Sequence, residues 1–397
     1  IVNLMRSTFS KLLLISVLAV CLAGLYAAES RGIHSMPVRI QEKPKKSHSK
    51  LAGVARAHFQ SLLQDDIYPD QDNIFMLTKL HMGEDQTQVE LIIDSGSSVL
   101  WIPKEDCGSN HETGLAHDCD QASDPKSLYY LDGDIHGRRG RTTVWVNHKN
   151  ARSPGHTFVV IDRKSELMNL GILGLSKGWE STPTFLETLE TNKLIEDRAF
   201  SLYRDTDKYE LILGGVDRTK VSENHVEATS DIVSTDSFMF KFQGARFGDL
   251  TFITEHSQAL VDSGNTLICF PMKYSPSIMD YLSAKGFNCY LEQEANPMFH
   301  EIICHMNGRN RSEFPHLTFT IEEKEFSITG EHLIELCQEN VQGYNPFSED
   351  STYQEDCLIR IEFQNRSSYL TLGKAFIERV YTTFDLETNK ITFIQNL

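Results

Sequence analysis

A chain of 397 residues, 40% hydrophobic and 10% aromatic, is long enough for one large or two medium domains and too apolar to stay disordered. Its formal charge of −17 excludes a protein that grips phosphates through clustered Lys and Arg, so no nucleic-acid partner is expected. That charge is uneven: residues 1–65 hold nine Lys and Arg against three acids, and the remainder holds 29 against 52.

In chain order, Arg6 and Lys11 precede the apolar run "LLLISVLAVCLAGLYAA" (12–28), which ends in small residues. This predicts a signal peptide over 1–28, with an uncleaved anchor as the alternative for a run near the lower limit of a membrane span. Residues 29–66 form the basic head. It should lie against the acidic body and loosen from it as acid protonates carboxylates; a solvated tail is the other reading. Entry to the secretory route makes disulfides expected. Cys21 falls in the leader, and Cys107 and Cys119 bracket a polar loop that they can close. Seven cysteines remain, so one is left over; Cys269, inside the apolar "TLICFP", is the candidate for a buried, inert thiol. The sequons at Asn310 and Asn365 mark surface positions for glycans.

Beyond residue 66, short runs rich in Val, Ile, Thr and Phe alternate with Gly, Asp and Asn: "IFMLTKLHMG", "VELIIDSG", "TTVWVNH", "YELILGG", "HLTFTI" and others. Their length and punctuation predict strands. Only "TPTFLETLETNKLI" and "SPSIMDYLSAKG" read as helices. The fold class is mainly β.

One internal similarity organises the rest. "VELIIDSGSSVLWIP" (89–103) returns loosely as "SQALVDSGNTLICFP" (257–271), and each is followed by a Gly-containing hydrophobic run, "LGILGL" or "LTLGKAFI". A single Asp-Ser-Gly is an ordinary turn; two in matched flanks predict two similar lobes, 67–245 and 246–397. If the lobes bring Asp94 and Asp262 together, the pair shares a proton and titrates as one unit. The ionised member can draw a proton from water while the other donates to a carbonyl oxygen. Ser95 and Ser263 can bond across the axis, Gly96 and Gly264 let backbone amides approach, and Ser97 and Asn265 can each donate to an outer carboxylate oxygen.

These stretches, with "ELILGGVD" and "LGKAFIERVYTTFDLETNKITFI", resemble the pepsin-like aspartic proteases from about Ile67 to Leu397. The resemblance implies a bilobal β fold with a cleft between the lobes and hydrolysis of polypeptides without metal or cofactor; the alternative is a catalytically weak or inactive protein of the same fold that binds peptides or other ligands in the cleft. It further implies a monomer, made as a zymogen, acting in acid and inhibited by pepstatin-type peptides, in a secreted or endo-lysosomal setting. "MPVRIQEKPKKSHSK" resembles the start of a family propeptide, so the basic head becomes an inhibitor of its own cleft, with Lys46 or Lys50 meeting the dyad. In "SLYYLDGDIHGRRGRTTVWV" the family's flap puts Tyr130 over the substrate, with Gly133 in the hairpin and Tyr129 as the alternative; Trp101 stands where an indole braces that tyrosine. Cys304 with Cys357 resembles the family's C-terminal disulfide, which leaves Cys289 with Cys337.

The departures are specific. Both triplets carry Ser where Thr is usual, Asn265 replaces a hydroxyl residue, and the flap reads Tyr-Leu-Asp-Gly-Asp. Lys374 replaces an acid, which should lower the dyad's pKa if it lies close to it. The family's disulfide just before the second Asp is missing. Two stray motifs are set aside. "GLSKG" (174–178) lacks the βα alternation that a nucleophile elbow needs. "HEIICH" (300–305) spaces its histidines five apart, off a common helix face.

Overall fold

Strand-forming residues and turn residues alternate so regularly that nearly every apolar run becomes a strand in the computed structural model. The structure describes residues 34–40, 75–130, 133–146, 151–161, 170–178, 182–205, 208–293, 298–306, 308–340, 354–365 and 367–397. The apolar run 12–28, Lys46 and Lys50 lie outside them.

The first half supplies β1 (His34–Ile40), β2 (Met76–Met82), β3 (Thr87–Asp94), β4 (Leu100–Pro103) and β5 (Asp124–Tyr130). It continues with β6 (Gly133–Val146), β7 (Ala151–Ile161), β8 (Gly171–Gly174), β9 (Ala199–Asp205), β10 (Lys208–Leu213) and β11 (His225–Asp231). The second half begins with β12 (Met239–Phe242), β13 (Gly244–Phe247), β14 (Leu250–Ile253), β15 (Ser257–Val261), β16 (Ile268–Pro271) and β17 (Asn288–Gln293). Then come β18 (Phe299–His305), β19 (Leu317–Ile321), β20 (Lys324–Ile328), β21 (Ile334–Asn340), β22 (Gln354–Gln364) and β23 (Leu370–Leu372). β24 (Tyr381–Asp385) and β25 (Lys390–Asn396) close the chain.

Strands β12, β15–β18 and β21–β23 make one sheet of the second half, and β13, β14, β19 and β20 make another. The largest sheet has thirteen strands and contains β1 to β11. β24 and β25 join it, the first against β9 and the second against β11. The last two strands of the stretch 246–397 therefore lie in the sheet of the first half. β1, from the basic head, is an internal strand of that sheet, antiparallel to β10 on one side and β2 on the other.

Both expected helices are present: Phe185–Thr191, with a capping box between Thr184 and Glu187, and Ser275–Ala284, with Pro in its first turn. "HEIICH" lies in β18, and Ser176 of "GLSKG" is buried with its hydroxyl donating to Asp236 O.

The Cys107–Cys119 bond is present and Cys269 is a buried free thiol. The other pairing differs from that expected: Cys289 bonds Cys304 and Cys337 bonds Cys357, each with a Cα separation of 4.0 Å. All four lie in one row across β17, β18, β22 and β21, with Cys304 directly opposite Cys357. Along such a row, narrow pairs alternate with wide, hydrogen-bonded pairs. Two narrow outer pairs leave Cys304 and Cys357 as the wide one, so each inner sulfur bonds outward.

Candidate active site

β3 ends on Asp94, and β15 ends one residue before Asp262. Buried Leu91, Ile92 and Ile93 on one side, and Ala259 and Val261 on the other, pull both strands into the core. Each acid is thereby delivered at a strand terminus. β8 runs parallel to β3, with Gly174 opposite Asp94, and antiparallel to β4. β23 repeats this, parallel to β15 and antiparallel to β16. "LGILGL" and "LTLGKAFI" are thus matched partners of the two Asp-Ser-Gly loops.

The loops interlock across a pseudo-twofold axis. Ser95 Oγ donates to Val261 O at 3.0 Å and accepts from Ser263 N at 2.9 Å. Ser263 Oγ donates to Ile93 O at 2.8 Å and accepts from Ser95 N at 2.9 Å. This draws the carboxylates together. A Cβ on Gly96 would sit 2.6 Å from both Asp262 carboxylate oxygens, and one on Gly264 would sit 2.6 Å from Asp94 Oδ1. Only glycine fits at either place.

The two acids are not equivalent. Gly96 N donates to Asp94 Oδ1 at 2.7 Å, and Ser97 Oγ donates to Asp94 Oδ2. Gly264 N donates to Asp262 Oδ1 at 2.9 Å. The side chain of Asn265 does not supply the expected donor: its Oδ1 accepts from Leu267 N at 3.3 Å, and only its backbone amide serves Asp262. Burial raises both carboxyls. For Asp94 the Ser97 hydroxyl and Gly96 amide oppose the rise, whereas for Asp262 the neighbouring Asp94 charge adds to it. Asp94 is the member that ionises first and Asp262 the one that keeps its proton.

The family model for eukaryotic aspartyl protease matches residues 76–396. An acid protease of Saccharomycopsis fibuligera is 24% identical over 350 residues, covering 81% of this chain and 80% of its own. Gastricsin of Cavia porcellus is 24% identical over 340 residues, covering 79% and 78%. Cathepsin E-A of Xenopus laevis is 22% identical over 419 residues, covering 96% of each. The chain belongs to the eukaryotic aspartyl protease family. It is an aspartic-type endopeptidase acting on polypeptides.

In this protease β5 and β6 form a hairpin in register from Asp124 opposite Arg139 to Tyr130 opposite Gly133. Tyr129 is 71% exposed. Trp101 is buried in a cluster with Leu77, Val159 and the hairpin residues Leu128 and Ile135, so it packs beneath the hairpin. The sequon residues Asn310 and Asn365 are both exposed. Among the described residues one grouping has metal-ligand spacing, Cys337, Glu355 and Cys357, but both of its sulfurs are used in a disulfide.

A buried ionic cluster escaped the sequence reading. Glu378 accepts from Tyr209 Oη at 2.9 Å, Arg360 Nη1 at 2.6 Å and Arg204 Nη1 at 3.4 Å, and Lys374 Nζ lies 3.2 Å away. It joins β9 and β10 to the second half. Burial pushes the Glu378 carboxyl up, but the Arg360 and Lys374 charges outweigh this and hold it well below its usual range. Lys374 thus meets Glu378 with its ammonium, and its backbone N–H donates to Asn265 O in the dyad loop at 2.7 Å. The signal in the sequence was the i, i+4 spacing of Lys374 and Glu378 on a buried turn.

Proposed function

We propose that this protease is a secretory-pathway zymogen that cuts extended polypeptides in acid, with Asp94 and Asp262 as its catalytic pair. The observation that carries the reading is the convergence of two enclosed carboxylates whose hydrogen bonding differs. Asp94, ionised, removes a proton from a water held between the acids as the water oxygen attacks the scissile carbonyl carbon. Asp262 gives its proton to the carbonyl oxygen, so the tetrahedral intermediate is neutral. Asp94 then passes its proton to the departing amine, the C–N bond breaks, and Asp262 regains a proton from the diol. Tyr130 and Gly133 close the hairpin over the substrate, and Trp101 braces it.

The pairing of β1 with β10 and β2 supports a proform in which the basic head is part of the fold. Its lysines, Lys46 or Lys50, then cover the dyad until acid weakens their attraction to the body. The leader directs the chain to a secreted or acidic vesicular compartment, where Asn310 and Asn365 carry glycans. The enzyme works as a monomer and pepstatin-type peptides occupy its cleft. The test is to hold the purified full-length chain at pH about 4, near the carboxylate range, with a denatured protein. Self-shortening and cleavage, both blocked by pepstatin and absent in Asp262→Ala, are expected. Cleavage that survives Asp262→Ala, or none at any acid pH, overturns the reading.

A further inference from the structure

The loop that carries Asp262 is held from behind. Past β23, Gly373 caps the helical turn Lys374–Ile377, whose first amides have no acceptor within the turn. They serve the loop instead: Lys374 N donates to Asn265 O at 2.7 Å and Ala375 N to Thr266 O at 3.1 Å. The contact is close, since a Cβ on Gly373 would lie 2.2 Å from Leu267 O and 2.5 Å from Asn265 O. Asn265 N in turn donates to Asp262 O at 3.2 Å and serves the Asp262 carboxylate.

The first loop has a similar support, with Ser176 N donating to Ser97 O at 2.8 Å. The two supports are fixed differently. Ser176 Oγ reaches a backbone oxygen, Asp236 O, at 3.2 Å. Glu378, whose N–H closes the turn on Lys374 O at 2.9 Å, is clamped by Arg360 of β22, Arg204 of β9, Tyr209 of β10 and the Lys374 ammonium. Glu335 of β21, Arg379 and His332 also act on this group electrostatically.

We propose that Glu378 is a positioning residue for catalysis: by fixing the turn Lys374–Ile377 to both halves of the fold, it sets where Asn265 presents its amide and so where Asp262 stands against Asp94. The inference rests on the protease reading above and adds a residue that acts through the loop. The Glu378 carboxyl, held well below its usual range, stays ionised in acid, so the clamp is charged at the working pH. An amide in its place loosens the clamp, and the Asn265 amide then holds the Asp262 carboxylate less well. Loss of a donor to the charged form favours the neutral one, so Asp262 keeps its proton to higher pH. A misplacement of about 1 Å can cost about a hundredfold in rate. Because this loss falls on proton transfer and not on the walls of the cleft, it belongs to kcat.

The test compares the full-length parent, Glu378→Gln and Leu282→Ala after incubation in acid, by steady-state hydrolysis of one peptide between pH about 3 and about 7. Leu282 is buried in the helix Ser275–Ala284, and its truncation destabilises the fold to a comparable extent. Glu378→Gln should lower kcat by about tenfold or more with KM within about twofold, and move the alkaline limb of the kcat profile up by about half a pH unit. Leu282→Ala should leave kcat within about twofold and the limb in place. Arg204→Gln, which removes the longest of the contacts and keeps the carboxylate, should repeat both changes at about threefold in kcat; it decides the matter if Glu378→Gln does not fold. A kcat and limb that match the parent or Leu282→Ala, or a loss confined to KM, overturn the assignment. A parent that cleaves no peptide and binds no pepstatin-type inhibitor instead overturns the protease reading, and the inference with it.

Discussion

Replacing Glu378 by Gln tests what joins the two halves away from the cleft. The carboxylate is about 1% exposed in its side chain and meets Tyr209, Arg360, Arg204 and Lys374. Gln keeps the volume, removes an anion in contact with three cations, and turns an amide N–H₂ toward donors. Removing one partner of a buried ion pair typically costs about 3–5 kcal/mol, because the remaining charge stays buried without compensation. Unfolding entropy of about 2.1 cal/mol/K per residue, over a fold of about 320 residues, converts this to a fall in Tm of about 4–8 °C. Differential scanning calorimetry at pH 6, in an Asp262→Ala background that prevents self-digestion, measures it. Lys374→Met is the control. Burial lowers its ammonium to about 8, so the charge burdens the fold below that pH and the burden lifts as pH rises toward the unfolded value. The control should therefore be neutral or stabilising at pH 6, and should flatten the rise in parent stability expected above pH 8. A Tm loss under about 2 °C for Glu378→Gln, well short of the entropy-scaled value, or an equal loss for Lys374→Met, would refute the account.

Four further outcomes follow from the dyad and the disulfides. Asn265→Ser should supply the missing hydroxyl to Asp262, stabilise its ionised form and move the alkaline limb of the kcat profile toward acid; an unmoved limb counts against the assigned asymmetry. Gly96→Ala should fold yet lose nearly all activity, since its methyl would meet Asp262 at 2.6 Å; hydrolysis at parental rates removes the argument from close approach. Ser263→Ala leaves Ile93 O and Ser95 N without their partners and should cost about 2–4 kcal/mol in urea unfolding, against less than about 1 for a surface serine. Peptide mapping without reduction should recover Cys289–Cys304 and Cys337–Cys357; a Cys304–Cys357 peptide would reverse the row.

The dyad was legible because its information is local and repeated. Asp94 and Asp262 sit in matched flanks, and matched flanks fold into matched strand pairs. The disulfide pairing was not legible, because four cysteines fall in one row and only the alternation of narrow and wide pairs decides between them. Sequence also names Asn265 as a possible donor but does not fix its rotamer, which turns to Leu267 N. Glu378 was hidden for another reason: Arg204 and Tyr209 lie over 160 residues upstream, on strands whose proximity only the completed sheet creates.

The return of β24 and β25 to the first sheet has a bearing on timing during synthesis. β9 and β11 each have a neighbour that does not exist until the far end of the chain has been made. At about 5–20 residues per second, about 10–30 s separate the emergence of β11 from that of β25. Throughout that interval the first half has open sheet edges and the second half, which carries Asp262 and the strand β23 that pairs beside it, is still being made, so a nascent chain has no assembled pair of acids with which to digest itself or its neighbours. Order of manufacture thus gives a safeguard that precedes, and does not depend on, the basic head.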